Sequence, residues 1–325
     1  MADYYFYKNL SSRDQEILSK EIHENPLQVN AHIESFRRWV LSMPHLQCPT
    51  DAKFLMKFLR VSKFDHKRAE KRIDNYCTVR ASPRGSPSFF NTFSINDPII
   101  NTYLETGMHL PLGRTENGET IFLVRTKVWD PEQIPFPKLI ILMFMAMDII
   151  CNDEETQIHG MKMIIDLKDA SRKAMESWGD PKYMKQINRV MQESYPLRIK
   201  GTIFYNEPVI FDIVFQVLSF FMNEKMKSRT IRIKNDINKA IEKNPGLDKI
   251  LPMEYGGQGG TITECSEKWK IRFKEFYKNG NPVSGFSVDE SKRPQESASY
   301  LAEYPDYEGQ TLGTQGTYTK FENVF

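Results

Sequence analysis

Arg198 and Lys200 stand before an apolar run, and Lys225, Lys227 and Arg229 stand after it, in the stretch YPLRIKGTIFYNEPVIFDIVFQVLSFFMNEKMKSR. Cations clustered in this way bind anions: a guanidinium grips phosphate or carboxylate through parallel hydrogen bonds, and an ammonium acts as a compact point charge. Between the clusters, Val209 to Met222 carries Asp212, Gln216 and Ser219 as its only polar side chains. Spacings of four and three place them on one narrow helical stripe. A surface helix shows an apolar arc of about 100° or a little more, so this one must touch apolar material on several sides: protein core, lipid or bilayer. Spanning is excluded, because a crossing takes roughly 20 apolar residues and this run breaks at Asn223, Glu224 and Lys225.

Groups that perform covalent chemistry are scarce. No G-x-S-x-G elbow, Walker loop, H-E-x-x-H or G-x-G-x-x-G is found; Gly256-Gly257-Gln258-Gly259-Gly260 follows a predicted helix and reads as a chain reversal. His23, His32, His45, His66, His109 and His159 are scattered, and none stands at ligand spacing from another, so they are read as surface or capping residues and no metal site is expected. Asp166 ends the apolar strand MKMIIDL, where α/β enzymes often place a carboxylate, but without a partner motif its expected role is to bind loop amides. No catalytic residue and no cofactor is assigned.

The net charge of +2 hides an uneven distribution. Asp51 to Arg84 holds ten Lys/Arg against four Asp/Glu, and Tyr195 to Lys234 holds seven against three, so the rest of the chain is acidic. This suggests a localised positive face able to meet an anionic partner, the alternative being solvated helix faces. Nucleic acid is excluded as that partner by the absence of zinc-finger spacing, RNP-like aromatics and bZIP heptads. Four distant cysteines without metal-type pairing fit reduced thiols, and the start MADYYFYKNLSSRDQEI lacks a basic segment followed by an apolar one. The expected location is cytoplasmic.

These clusters need a scaffold. Up to about residue 90 the pattern is helical: Ser11 or Ser12 caps a segment through Ile17 and Ile22, a second runs from Pro26 to Leu41, Thr50-Asp51 starts a third with Phe54, Leu55, Phe58 and Leu59, and Asp65 a fourth through Ala69, Ile73 and Tyr76. ASPRGSPSF closes this small all-α unit. Strands TIFLVRTKVW, MKMIIDLKD, RIKGTIFYN and RTIRIKN then alternate with helices at Lys138–Ile150, Pro181–Glu193 and Pro208–Met226. Alternation of this kind implies βαβ crossovers and a largely parallel sheet, hence an α/β fold. The expected units are 1–90, 95–260, a helix in 261–280 and a tail, 281–325, that is extended or partly disordered, with GTYTKFENVF able to dock as a strand.

Helix LIILMFMAMDII is apolar nearly all round, with Asp148 its one polar side chain. Met143, Met145 and Met147, with Met161 and Met163 on the next strand, are flexible and polarisable, and suit the wall of a cavity for an irregular apolar guest. Val209 to Met222 would then be its cover.

FLMKFLRVSKFDHKRAEKRIDNY, VWDPEQIPF, ETQIHGMKMIIDLKD, YPLRIKGTIFYNEPVIFDIVF and ILPMEYGG, in that order over Asp51 to Gly257, resemble the CRAL-TRIO lipid-transfer family. The likeness is to its tocopherol-transfer and retinaldehyde-binding branch, in an arthropod-like form with a longer tail. Asn206-Glu207-Pro208 and Leu251-Pro252-x-Glu254-Tyr255-Gly256-Gly257 are the sharpest matches. The resemblance implies an N-terminal all-α helical domain packed on a CRAL-TRIO α/β domain, whose largely parallel sheet floors a hydrophobic lipid cavity holding one small lipophilic ligand without chemistry. It implies a mobile gate of Val209, Ile210, Phe211, Ile213, Val214, Phe215, Val217 and Leu218. It implies a phosphoinositide groove at Arg198, Lys200, Lys225 and Arg229, with Lys227 nearby. Ser62 stands where the tocopherol-binding relatives have arginine, and Arg60 and Lys63 are the substitutes. Matching wall positions are Ile140, Met143, Met147, Ile165, Val190, Tyr195, Leu197 and Thr202. Met143 and Met147 replace serines of the tocopherol pocket, which favours a more apolar or longer guest, with Tyr195 or Thr202 left to pair a ligand hydroxyl.

The mechanism implied is exchange at a membrane. Burial yields about 0.8 kcal/mol per methylene against water, while a bilayer competes on nearly equal terms. Cations near an anionic leaflet contribute about 1 kcal/mol each, enough together to dock the gate. A phosphoinositide-recruited adaptor without ligand transfer is the alternative, marked by purification without stoichiometric lipid; a lipid-modifying enzyme would reveal itself by turnover.

Overall fold

The structure, a computed structural model, describes residues 5–7, 10–81, 93–278, 285–295 and 297. The N-terminal helices form where caps and periodicity put them. Ser11 and Asp14 make a reciprocal capping box for Ser12–Ile17, which continues as a π turn over Leu18–Ile22. Val29–Ser42 follows, then the short strand β1 (Leu46–Gln47) and Ala52–Val61, whose N-cap Asp51 accepts from the Phe54 amide. His66–Ala81 completes the unit. Ile33, Phe36, Leu55, Phe58, Leu59, Ala69 and Ile73 are all buried, so the apolar stripes read from the sequence do face one another.

The second unit is built on β2 (His109–Arg114), β3 (Thr120–Arg125), β4 (Met161–Asp166), β5 (Ile199–Tyr205) and β6 (Thr230–Arg232). They lie in that order; β3 to β6 are parallel, and β2 runs antiparallel along the edge. The largely parallel sheet is as expected, while β2 is an addition. Its sequence HLPLGR carries the proline and glycine that hide a strand from pattern reading and are tolerated at a sheet edge. β3 ends earlier than TIFLVRTKVW suggests: the Thr126 hydroxyl donates to the Asp166 carbonyl, and the chain turns into a 3-10 helix at Thr126–Val128.

Crossover helix Phe136–Cys151 follows β3 and is buried along nearly its whole length. Arg172–Gly179 and Pro181–Arg189, the latter continued by the π turn Val190–Ser194, join β4 to β5. Phe211–Phe220 and Glu224–Ser228 join β5 to β6, so the helix read over Pro208–Met226 is two helices, the second capped by Asn223. Pro98–Thr106, Glu154–His159 and Arg172–Gly179 are helices the hydrophobic pattern did not disclose, each with an Asp or Ser N-cap.

The glycine run after Tyr255 reverses the chain as read. A Cβ at Gly257 would lie 2.1 Å from the Leu251 carbonyl oxygen, and one at Gly259 2.3 Å from that of Ile250. Ile262–Tyr277 then packs Trp269 and Phe273 into the core. Part of the tail is docked: Phe286 is buried against Phe54 and Tyr76, β7 (Ser287–Val288) pairs antiparallel with β1, and Arg293 donates to Asp74 at 2.5 Å. The strand expected at GTYTKFENVF lies outside the described residues.

Candidate functional site

Strand alternation puts Phe122, Val124, Met163, Ile165, Thr202 and Phe204 on one face of the sheet. Above that face lies a cavity of about 120 Å³, walled by Met143 and Met147 of the crossover helix, by residues of 175–191 and by the inner side of Phe211–Phe220. Eight methionines line it: Met143, Met147, Met163, Met175, Met184, Met191, Met222 and Met226. Among the described residues, none that lines it is charged. Ligand pockets usually measure about 300–1,000 Å³, so this one is collapsed on itself, and methionine is the residue that can refold around a guest.

Of the eight wall positions read from the resemblance, Met143, Met147, Ile165 and Thr202 line the cavity. Ile140, Val190, Tyr195 and Leu197 are buried outside it. Tyr195 cannot offer its hydroxyl to a ligand, because that group is 2.5 Å from Asp148 Oδ1 and 2.9 Å from the Phe144 carbonyl oxygen. Arg80 of the helical unit donates to the same Asp148 carboxylate, so the lone polar side chain of Leu139–Ile150 joins the two units. Met161 and Met145 are buried but do not line the cavity.

The cover is held at its start. Asn206 adopts a left-handed φ of 55°, which asparagine tolerates, and its side chain donates to Asp166 Oδ1 at 2.8 Å. Asp166 also accepts from the Lys168 amide at 3.0 Å and from the Tyr255 hydroxyl at 2.6 Å. It is a loop organiser, as expected, and it ties the two sharpest motifs together. Phe211, Val214 and Leu218 face the cavity, whereas Ile210, Ile213 and Val217 face a cleft against Met175 and Pro181. Phe215 is half-buried against Phe204. Val209 and Phe220 are 92% and 74% exposed. Arg232 bonds both Glu207 and Asp212 and lies 4.9 Å from the Phe215 ring centroid, pinning the start of the helix to the sheet.

Lys225 shows how the cations assemble. Its ammonium is pushed below the ordinary lysine value first by burial and then by Arg229, Lys63, Arg198 and Lys200, all close enough to repel it. Gly160, at φ 84°, lets the chain pass this cluster: a Cβ there would lie 2.6 Å from the Arg198 carbonyl oxygen and from Lys200 Cγ. Arg198 Nη2 and Lys200 Nζ both donate to Glu21 Oε2, at 2.7 and 2.5 Å. Lys227 turns aside to Glu224. Arg60 is a correction: it is 1% exposed and pairs with Glu24, Gln157 and Glu154, so it bridges the helical and α/β units and supplies nothing to the surface. Ser62 is buried as well.

Residues 104–257 match the family model described as CRAL/TRIO domain, and 25–100 match one described as Pinta-like, UBA domain. The chain contains a CRAL-TRIO domain. The CRAL-TRIO family is one of lipid-binding and lipid-transport proteins. A human protein named alpha-tocopherol transfer protein-like is 29% identical over 245 residues, covering 75% of this chain and 69% of that one. Rat Clavesin-2 is 26% identical over 251 residues, covering 76% and 75%. The crystal structure of Sfh5 overlaps 83% of this chain and 98% of its own at a TM-score of 0.47 and 14% identity, a loose likeness. Among the described residues, no helix of this CRAL-TRIO chain is long and apolar enough to cross a membrane.

Three histidines depart from the surface role read for them. His45, His109 and His159 are buried, and His109 lines the cavity beside Phe122. Met175, Met184, Ile187 and Met191 are further wall residues: Met175 lies on a helix the hydrophobic pattern does not disclose, and the other three line the inward side of the helix read over Pro181–Glu193.

Proposed function

We propose that this CRAL-TRIO protein carries one small neutral lipophile beneath the Phe211–Phe220 gate and exchanges it, without covalent chemistry, at anionic membranes that include phosphoinositides. The observation that carries the reading is an uncharged, methionine-lined cavity covered by a segment that exposes two large apolar side chains, Val209 just before the helix and Phe220 at its end. A cover that met only water would gain nothing from exposed Val209 and Phe220. A bilayer rewards them.

The basic cluster of Lys63, Arg198, Lys200, Lys225 and Arg229 supports the membrane half of the reading, since cations at an anionic leaflet contribute about 1 kcal/mol each. The test has two stages. Native mass spectrometry of protein purified from cells should find about one lipid per chain, identified by extraction. Transfer of that lipid between donor and acceptor vesicles should then accelerate when phosphoinositide is added to the acceptor. Stoichiometric absence of lipid, even after incubation with membranes, would favour a membrane-recruited adaptor instead.

A further inference from the structure

His109 is 1% exposed, lies at the start of edge strand β2 and forms part of the cavity wall. Its ring stacks on Phe122, with centroids 5.8 Å apart and planes 16° from parallel. Nδ1 lies 2.9 Å from the Tyr103 hydroxyl, whereas Nε2 has no hydrogen-bond partner among the described residues. Buried polar atoms almost always have partners, so an orphan on a cavity wall calls for one that the cavity receives.

Two other polar groups of the wall are engaged. The Thr126 hydroxyl donates to the Asp166 carbonyl, and the Asn188 amide to that of Met184. Trp178 Nε1 is also unpaired, but its residue is only half-buried. His109 is thus the deepest unmet polar group.

Chemistry decides what it presents. Burial pushes the imidazole down to about 3, so it is neutral and carries one ring proton. The Tyr103 hydroxyl has only Nδ1 as partner among the described residues, and a phenol is a better proton donor than a neutral imidazole N–H. Tyr103 therefore donates to Nδ1, and the ring proton sits on Nε2, facing the cavity.

We propose that His109 Nε2–H is the polar anchor of the ligand site, and that the ligand is a neutral lipophile whose single oxygen acceptor, a carbonyl or hydroxyl, binds at the β2 end of the cavity with its hydrocarbon body toward the gate. This rests on the carrier reading and adds to it the class and direction of the guest. A carboxylate or phosphate head is excluded from the cavity because the wall has no cation to meet it. Direction follows from sheet order: β2 is one edge, and the gate's Phe211 packs 4.8 Å from Phe204 on β5, three strand spacings or roughly 14 Å away.

Three ligands with one branched hydrocarbon skeleton test it: the alkane, the ketone and the carboxylate. Binding is read by quenching of tryptophan fluorescence, Trp178 being part of the wall. Wild type should bind the ketone more tightly than the alkane, and the carboxylate least well. The double variant Tyr103→Phe/His109→Phe removes donor and phenol together and so orphans neither. It should lose about 5- to 150-fold in ketone affinity and leave alkane affinity within about twofold. Equal loss for both would make His109 merely structural and overturn the anchor. Should the double variant fail to fold, the wild-type preference decides: equal affinity for ketone and alkane overturns the anchor while leaving a carrier. A wild type that takes up none of the three overturns the carrier reading and the anchor with it.

Discussion

Glu21→Gln should tighten binding to anionic vesicles. Glu21 Oε2 lies 2.7 Å from Arg198 and 2.5 Å from Lys200, so the carboxylate occupies the place where a phosphate would meet both cations. The Glu21 side chain is 44% exposed, which limits each ion pair to about 0–1 kcal/mol. Removing its charge also leaves the face one unit more positive, worth about 1 kcal/mol against an anionic leaflet. With two such pairs the contributions sum to about 1–3 kcal/mol, or roughly 5- to 150-fold in affinity. Burial alone would raise the Glu21 pKa, but the Lys200 hydrogen bond and the Lys200 and Arg198 charges outweigh it and hold it below the ordinary value. An acid depressed in this way keeps its contact above its unfolded pKa and loses it only as pH falls through the folded one. Mild acidification to about pH 5 should therefore not mimic the variant. Co-sedimentation with phosphoinositide vesicles is the assay, with neutral vesicles and Glu16→Gln as controls, since Glu16 pairs with Lys20 on the same helical segment. The gain should shrink in high salt, where screening falls below about 8 Å. Unchanged affinity for anionic vesicles, or an equal gain on neutral ones, would refute the competition.

Further outcomes follow from the same contacts. Arg60→Ala leaves Glu24 charged and buried, and should lower stability by about 3–5 kcal/mol in denaturant titration, with vesicle binding by the remaining folded protein unchanged. Arg232→Ala frees the gate from Glu207, Asp212 and the Phe215 ring; about 1–2 kcal/mol of lost attachment should raise spontaneous ligand release several-fold in stopped-flow without membranes. Met147→Ala should cost the empty protein about 2–5 kcal/mol, and part of that loss should return when ligand fills the space, read as a larger ligand-induced rise in melting temperature than in wild type.

The scaffold was legible because its rules are local. Asp51 caps where it should, Phe54, Leu55, Phe58 and Leu59 face inward, and alternation after residue 96 implied parallel strands. β2 escaped because proline and glycine mask its alternation. Charge counting found the two basic windows, but that Lys63 joins Arg198 was legible only through the resemblance, since the two stand far apart in the chain and meet only by folding. Charge counting could not tell surface from interior: Arg60 looks like its neighbours until Glu24 and Glu154 close around it. The same blindness hid His109, whose burial depends on Phe122 and Tyr103, both brought to it by tertiary packing.

Retention and release draw on different forces. On the proposed carrier reading, a lipid in the cavity is held by apolar burial, which a bilayer matches almost methylene for methylene, so carrier and membrane should be nearly balanced. The gate's attachments are of another kind: Arg232 to Glu207 and Asp212 at its start, with the cation cluster answered by Glu21 beyond its end. An anionic surface acts on charges such as these and leaves the apolar balance untouched. Membrane charge should accordingly set how fast the ligand crosses, while the fit around the methionines and His109 sets which ligand is held. Varying vesicle charge at fixed acceptor lipid should change the transfer rate without changing the final partition, and a shift in both together would mean that gate and pocket are not separable.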